Sequence, residues 1–249
     1  MKKIVVVTIL SAILLWCIGI HSNATDAALG SFSSLNGPIK YDKEGLSGYS
    51  EIAKETALKL QLNEKDMIMS PAGTTGDINT SYGAKINLRQ NSEIQLGYYN
   101  LRVKQGGAWI NYKPTKKDGT MIFKVDTPVG TIGVKGTEFA VCMSGENTVA
   151  IQVREGVVGF EGKNGAGEID ITAGSILLFD EKKNVREIIK VEEGVDIFEK
   201  LASLDVGVTV EQIIEALGKK TENKDKKVVP SGETGNGTTE NPWKQLKKK

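Results

Sequence analysis

The sequence predicts a mainly β fold of many short strands, followed by a small C-terminal helical hairpin. The first observation is a two-residue alternation, in which Phe139, Val141 and Met143 share one face of a segment and the intervening residues share the other. The second is the excess of glycine, 28 residues against 6 prolines, which suits tight turns between short strands. The third is that no helix of useful length fits between the strands, which argues against βαβ units.

The composition is that of a globular protein with a sizeable core. Of the 249 residues, 39% are hydrophobic and 25% are charged, which is enough for one β domain with appendages. The formal net charge of +1 is too balanced to indicate a nucleic-acid partner for the whole chain.

Residues 1–24 are expected to be a secretory signal peptide. Two lysines precede an apolar run from Ile4 to Ile20, and Ser22 and Ala24 place small residues at the positions that signal peptidase requires. Cleavage is therefore predicted after Ala24. The mature protein would then be periplasmic, attached to the cell envelope or extracellular.

Two alternatives stay open for this segment. The apolar run is a retained membrane anchor in the first, although it is shorter than the ~20 residues of a comfortable transmembrane helix. In the second, Cys17 is the lipidated residue of a lipoprotein, which Trp16 disfavours because a small residue is needed at that position.

Removal of the signal peptide would restrict the chemistry available to the chain. The only histidine, His21, would be lost, and Cys142 would be left as the only cysteine. Ser-His-Asp and Cys-His arrangements, His-based zinc sites and an internal disulfide are then excluded. A carboxylate-pair glycosidase stays formally possible through Glu93, Glu138 and Glu155, but acidic residues in strands usually face solvent. We therefore expect no catalytic residue, no cofactor and no metal site.

Residues 25–47 are polar and glycine-rich and are interpreted as an extended leader, and residues 48–191 as the β domain. Early in the domain Leu58, Leu60 and Leu62 alternate as in a strand, after a turn or short helix. The short strands that follow are spaced as in a sandwich, barrel or solenoid. They are predicted at Lys85–Arg89, Glu93–Gly97, Leu101–Lys104, Ala108–Tyr112, Thr120–Val125, Thr131–Val134, Thr137–Met143, Thr148–Arg154, Val157–Glu161, Glu168–Ile171 and Ser175–Phe179.

Residues 192–218 predict a helical hairpin docked on the β domain. Apolar residues recur at helical spacing in two stretches, and Thr209 and Gly218 are placed to cap and to end the second helix. The apolar residues are Ile197, Phe198, Leu201 and Leu204 in the first stretch and Val210, Ile213, Ile214 and Leu217 in the second.

Residues 219–249 predict a disordered basic tail. Its glycine- and threonine-rich middle cannot bury enough surface to fold. The final residues place Trp243 beside a cluster that includes Lys247, Lys248 and Lys249. This end is either a solvated tail or a weak contact for an anionic surface such as lipid or wall polymer.

Two blocks of the β domain carry a distinctive motif. The core block, VDTPVGTIGVKGTEFAV, begins at Val125 and is followed by VAIQVREGVV, and an earlier block, GDINTSYGAKINL, begins at Gly76. Together they resemble the FecR domain, a module named for an envelope regulator of ferric citrate uptake, over roughly residues 50–190. The residues that match the family motif are interpreted as structural: Asp77, Thr80, Pro128, Gly130, Gly136, Thr137, Phe139 and Gly156.

The resemblance has consequences for fold and for function. It implies a solenoid-like wrap of β strands, whereas periodicity alone does not choose that over a sandwich. The family is linked to sigma-factor control through a cytoplasmic anti-sigma segment that precedes one membrane helix. Because only Met1, Lys2 and Lys3 precede the apolar run here, direct sigma-factor control in cis is not expected.

The expected function is that of an exported, non-enzymatic module that binds or senses a protein or a cell-surface polymer. The candidate binding residues are four aromatics near basic side chains, Tyr98, Tyr99, Trp109 and Tyr112, although such aromatics more often pack in or over a core. An envelope signalling regulator is the first alternative, and an envelope glycan-acting enzyme is the second.

Overall fold

The computed structural model describes residues 28–115, 122–163, 165, 167–183, 185–201 and 210–218. Within them the chain forms sixteen strands and three short helices, with a 3-10 turn at Lys43–Gly45. The strands are β1 Gly30–Leu35, β2 Ile39–Asp42, β3 Ser50–Ile52, β4 Met67–Ser70, β5 Gly76–Thr80, β6 Ala84–Leu88, β7 Ser92–Gly97, β8 Asn100–Tyr112, β9 Phe123–Asp126, β10 Gly130–Val134, β11 Thr137–Ser144, β12 Thr148–Glu155, β13 Val157–Gly162, β14 Glu168–Thr172, β15 Ser175–Asp180 and β16 Val185–Lys190. The helices are α1 Lys54–Ala57, α2 Ile197–Leu201 and α3 Val210–Ala216.

The strands form two sheets that share one strand. The order of the first sheet is β1-β5-β6-β8-β11-β12-β15-β16, and the order of the second is β3-β2-β4-β7-β8-β9-β10-β13-β14. All pairs are antiparallel except β8 with β9. Neither sheet closes on itself, because β1 and β16 are the edges of the first and β3 and β14 the edges of the second. The prediction of a mainly β fold of many short strands is confirmed.

The chain alternates between the two sheets along its length. The hairpin β5–β6 lies in the first sheet, β9–β10 in the second, β11–β12 in the first, β13–β14 in the second and β15–β16 in the first. Each hairpin is added beside the preceding strands of its own sheet. The two sheets therefore grow together, and their inner faces enclose a common core.

Strand β8 connects the sheets, and the sequence predicted it as two strands separated at Gln105–Gly107. Its first half pairs with β7 and β9 in the second sheet, and its second half pairs with β6 and β11 in the first. At the crossing Gly106 has φ 62°, and an added Cβ would collide with the backbone oxygen of Asn91. A residue with a side chain would be strained there, so glycine lets one strand change sheets without a loop.

Alternating residues of both sheets fill the core between them. Phe123 of the second sheet stacks on Tyr112 of the first at 5.2 Å between ring centroids, and Phe160 meets Phe179 at 5.1 Å. All four side chains are fully buried. Burial of such large rings is the main source of stability that a sandwich of this size can offer.

A second apolar cluster lies on the outer face of the first sheet, beneath α2 and α3. Small side chains of the strands, Ala140, Cys142 and Ala150, meet Ile197 of α2 and Ile213 of α3. Helices of five and seven residues are not stable alone in water, so this packing holds them in place. The predicted hairpin is thus present as two docked helices, while Leu204 and Thr209 lie outside the described residues.

The structure places the segment predicted as an extended leader inside the β domain. Residues 30–42 form β1 and β2, which pair with β5 and with β3 and β4. The polar, glycine-rich composition hid these strands because Phe32, Leu35 and Ile39 are their only buried hydrophobic side chains. The short helix expected before Leu62 is α1, and Leu62 itself makes an isolated bridge to Gly30.

Several predictions fall on residues that the structure does not describe. These are the signal peptide at 1–24, the first residues of the leader, and the basic tail with Lys247, Lys248 and Lys249. Among the described helices, none is both long enough and apolar enough to cross a membrane.

A buried aspartate ties the N-terminal loops together. Asp66 has no exposed surface. Its carboxylate accepts hydrogen bonds from the Tyr41 hydroxyl at 2.9 Å and from the backbone amides of Asn63 at 2.8 Å and Glu44 at 3.1 Å. Burial, and then this hydrogen bond with Asp66, raise the pKa of Tyr41 well above its ordinary value. Two segments of the chain, residues 41–44 and 63–66, are thereby held together by one side chain.

Replacement of Asp66 by Ala should therefore be strongly destabilising. It leaves the Tyr41 hydroxyl and two backbone amides without their acceptor, and we expect a loss of about 2–4 kcal/mol in the free energy of unfolding. Urea unfolding followed by circular dichroism measures it. The exposed Lys40→Ala variant of the neighbouring strand β2 is the control and should change stability by less than about 0.5 kcal/mol. Equal stability of the two variants would contradict the assigned role.

The thiol of Cys142 should be inert in the native protein. Burial under the helices raises its pKa from 9.0 to about 12, which corresponds to about a thousandfold less thiolate near pH 8. In a Cys17→Ser background, iodoacetamide at pH 8 should label the protein in urea and leave the folded protein almost unlabelled. Similar labelling rates with and without urea would show that the helices do not protect this strand.

Candidate functional site

A row of polar side chains crosses the part of the first sheet that the helices leave uncovered. Cross-strand register aligns Ser34 of β1, Asp77 of β5, Asn87 of β6 and Trp109 of β8 on neighbouring strands. Because side chains in register on adjacent antiparallel strands point to the same side, the four form one line across the outer face. We call this line the polar row.

Hydrogen bonds hold the polar row in a fixed arrangement. The Asp77 carboxylate accepts from the Ser34 hydroxyl at 2.5 Å through Oδ2 and from the Asn87 amide at 2.7 Å through Oδ1. The side-chain amide oxygen of Asn87 in turn accepts a hydrogen bond from Arg89 Nη1 at 3.4 Å. These residues are partly accessible, apart from the exposed Ser34, so the row is a preorganised surface with little side-chain freedom left to lose on binding.

At its far end the polar row joins a cluster around Trp109. The Arg154 guanidinium lies 4.1 Å from the centre of the Trp109 ring and donates to Glu138 at 2.8 Å. The indole Nε1 donates to Asp196, which precedes α2, at 3.1 Å. Arginine stacked on tryptophan is the most favourable kind of cation–π contact, and arginine and tryptophan are common anchors of protein interfaces.

The chemistry of this surface is suited to recognition. Glu138, considered above as a possible catalytic carboxylate, is paired with Arg154 and also accepts from Asn111 at 3.0 Å. Glu93 lies on the other sheet, in an ion pair with Lys104 at 3.1 Å. In the described parts of the chain, no group of three or more His, Cys, Asp or Glu side chains is placed to hold a metal ion. The surface offers fixed donors, acceptors and an aromatic ring.

The four candidate binding aromatics are separated by the fold. Trp109 belongs to the outer face of the first sheet. Tyr98 and Tyr99 form the turn between β7 and β8, and their ring centroids lie 4.6 Å apart. Tyr98 is 60% exposed, and Tyr99 packs on the buried Tyr82 at 5.1 Å.

Tyr112 is removed from the candidate binding residues. Its side chain points into the core, has no exposed surface and stacks on Phe123, and this burial raises the pKa of its hydroxyl. The basic residues nearby in the sequence suggested a surface position. The strand alternation, which places Ala108, Ile110 and Tyr112 on the inner face, was the signal that could have corrected it.

The family-motif residues other than Asp77 build turns and core. Thr80 closes the β5–β6 turn, since its hydroxyl donates to the Ala84 carbonyl and accepts from the Ala84 amide, both at 2.9 Å. Thr127 does the same for Gly130 in the β9–β10 turn that contains Pro128. Gly130 leaves room for the Phe160 ring, while Thr137 and Phe139 are buried.

Several residues of the site were not predicted. Ser34 and Asp196 lie outside the motif blocks, while Asn87 and Arg154 lie within them but not at motif positions. Arg89 directly follows β6. The available signal was the two-residue spacing of Asp77 and Asn79 on β5 and of Lys85 and Asn87 on β6, continued by Arg89 after the strand, which marks polar outer faces. Only the cross-strand register shows which of them meet.

Gly156 and Gly136 allow a direct test of the motif glycines. Both have positive φ, 84° and 61°, but an added Cβ would lie 2.7 Å from Thr137 Cγ2 at Gly156 and no closer than 3.9 Å to any atom at Gly136. Gly136→Ala should therefore cost about 1–2 kcal/mol through backbone strain alone, and Gly156→Ala clearly more. Thermal unfolding of the two variants measures the difference. Equal losses would contradict the close contact with Thr137.

Comparison with known proteins agrees with the motif blocks. The family model described as FecR protein matches residues 66–159. No curated protein matches the chain. Two crystal structures of a candidate anti-sigma factor from Parabacteroides distasonis ATCC 8503, at 1.65 and 2.50 Å resolution, are similar at 16% identity with TM-scores of 0.43 and 0.45. The similarity covers 51% and 54% of this chain, which spans 60% and 64% of those chains. Residues 66–159 thus match the FecR domain model, as the two motif blocks predicted.

Proposed function

We propose that this chain is a non-enzymatic, extracytoplasmic module of a signalling system, and that it recognises a protein partner through the polar row. The single observation that supports this most is the preorganised line from Ser34 through Asp77 and Asn87 to Trp109 on an uncovered sheet face. Such a surface presents donors, acceptors and an aromatic anchor.

The family supports the regulatory part of the proposal. FecR domains are linked to signal-dependent regulation, and residues 66–159 of this chain match that domain. For this chain we propose the recognition step of such a system. Export through the N-terminal apolar segment, with cleavage after Ala24, belongs to the same proposal.

A cell-surface polymer is the second candidate partner, and Tyr98 favours it. Its ring is 60% exposed at the tip of a hairpin and is held by edge contacts to Tyr99 and Tyr82, at 4.6 and 6.2 Å. A fixed, exposed aromatic ring is well suited to stacking on a sugar. The basic residues Lys247, Lys248 and Lys249 would add a weak, salt-sensitive contact to an anionic surface. A glycan-acting enzyme is less well supported, because Glu138 is held by Arg154.

Alanine at Asp77 tests the protein-partner proposal. In chemical cross-linking with envelope extract, Asp77→Ala should reduce the yield of the cross-linked partner by about tenfold, because Ser34 and Asn87 lose the acceptor that orients them. Band intensity at equal protein concentration is the measurement.

Asp126 provides a matched control on the other sheet. Its carboxylate accepts from Asn100 at 3.0 Å and from Thr131 at 2.9 Å on the outer face of the second sheet, so Asp126→Ala removes an equivalent arrangement. Cross-linking should be preserved in this variant. Equal loss in both variants, or no loss with Asp77→Ala, would contradict recognition by the polar row, and loss with Tyr98→Ala alone would favour the polymer.

A further inference from the structure

We propose that the outer face of the first sheet carries a peptide-binding groove, which the chain fills with its own residues 195–198 and which a partner protein can occupy with a segment of the form aspartate, aliphatic, aromatic. The inference rests on the proposed function, since it assigns a second contact to the same sheet face. It adds the mode of recognition and a way to regulate it.

Phe198 is the anchor of the seated segment. Its ring lies over Gly107 of β8, where an added Cβ would come within 2.9 Å of Phe198 Cε1. The Arg89 guanidinium lies 5.0 Å from the centre of the ring, and the Trp109 ring meets its edge at 6.4 Å. Gly107 beneath the ring, Trp109 beside it and Arg89 over its face form a pocket for one aromatic side chain.

The backbone of the segment is held by one glutamine. Gln152 of β12 is buried, and its amide nitrogen donates to the Val195 carbonyl at 2.6 Å while its amide oxygen accepts from the Ile197 amide at 2.9 Å. Such a two-point contact to main-chain groups fixes the direction and the register of the chain without reading its side chains. Recognition of extended peptides commonly uses main-chain contacts of this kind, combined with side-chain pockets.

The remaining two side chains of the segment define its chemistry. Asp196 Oδ2 accepts from the Trp109 indole, and its Oδ1 accepts from the Phe198 amide at 2.8 Å. Ile197 is fully buried in the cluster that includes Ala140, Cys142 and Ala150. Arg89 and Arg154 flank the groove, so an acidic residue is favoured at the position of Asp196.

The connection to the β domain suits an exchangeable segment. Residues 192–194 are exposed, and Gly194 has φ 87° with no atom within 4 Å of an added Cβ, so the chain can turn there freely. Helix α2 has five residues and derives its stability from the sheet beneath it. The seated segment therefore acts as a tethered competitor. Its effective concentration is of millimolar order for a short linker, and a partner must compete against that concentration.

Peptide binding to the full chain tests the groove. A fluorescein-labelled peptide of residues 194–201 should bind the Phe198→Ala protein at least about tenfold more tightly than the wild type, because the variant no longer fills its own pocket. Fluorescence anisotropy gives the dissociation constants. The same peptide with alanine at the phenylalanine position should bind the Phe198→Ala protein at least about tenfold more weakly. The wild-type peptide should lose affinity to the same extent when Gln152→Ala is added to that protein.

Further variants keep the outcome interpretable. Circular dichroism shows whether the Phe198→Ala protein is folded. If it is unfolded, Asp196→Ala replaces it in the assay, because this variant weakens the seated segment at a different contact. Asp126→Ala, on the other sheet, should leave peptide binding unchanged. The peptide assay contains no envelope partner, so failure of the polar row and failure of the groove are distinguishable. Equal binding to wild type and to both variants, or binding that ignores the peptide's phenylalanine, would overturn the proposal.

Discussion

The passage of β8 from one sheet to the other is the constraint on which the rest of the structure depends. One strand of 13 residues pairs with β7 and β9 in its first half and with β6 and β11 in its second, so both sheets are anchored to the same piece of backbone. The left-handed backbone of Gly106 makes the turn without interrupting the strand. The distance and relative direction of the sheets, and with them the shape of the core, follow from this crossing.

Two adjacent glycines of β8 link the core to the surface. Gly106 lies at the crossing between the sheets, and Gly107 has no side chain, so the ring of Phe198 can lie directly on the backbone. Two residues further along, Trp109 stands on that face and contacts both Arg154 and Asp196. One short stretch of sequence therefore determines where the sheets separate, where the helical segment docks and where the polar row ends.

The outer face of the first sheet is divided into a covered and an uncovered half. Under the helices the strands supply small or apolar side chains such as Ala140, Ala150 and Ile176, and beyond them the strands supply Ser34, Asp77 and Asn87. Trp109 lies at the boundary and belongs to both halves. A partner that contacts the polar row therefore also meets the edge of the seated segment, which gives a physical route by which binding and release of that segment can influence each other.

The sequence by itself determined the mainly β class, the positions of most central strands and the FecR domain, because two-residue alternation and motif spacing are local properties. It also placed the two C-terminal helices. Tertiary structure alone decided that residues 30–42 join the sheets and that β8 is one strand. It alone brought Ser34, Asp77, Asn87, Trp109 and Asp196 together, since cross-strand register and the docking of a distant segment depend on long-range pairing that no local pattern encodes.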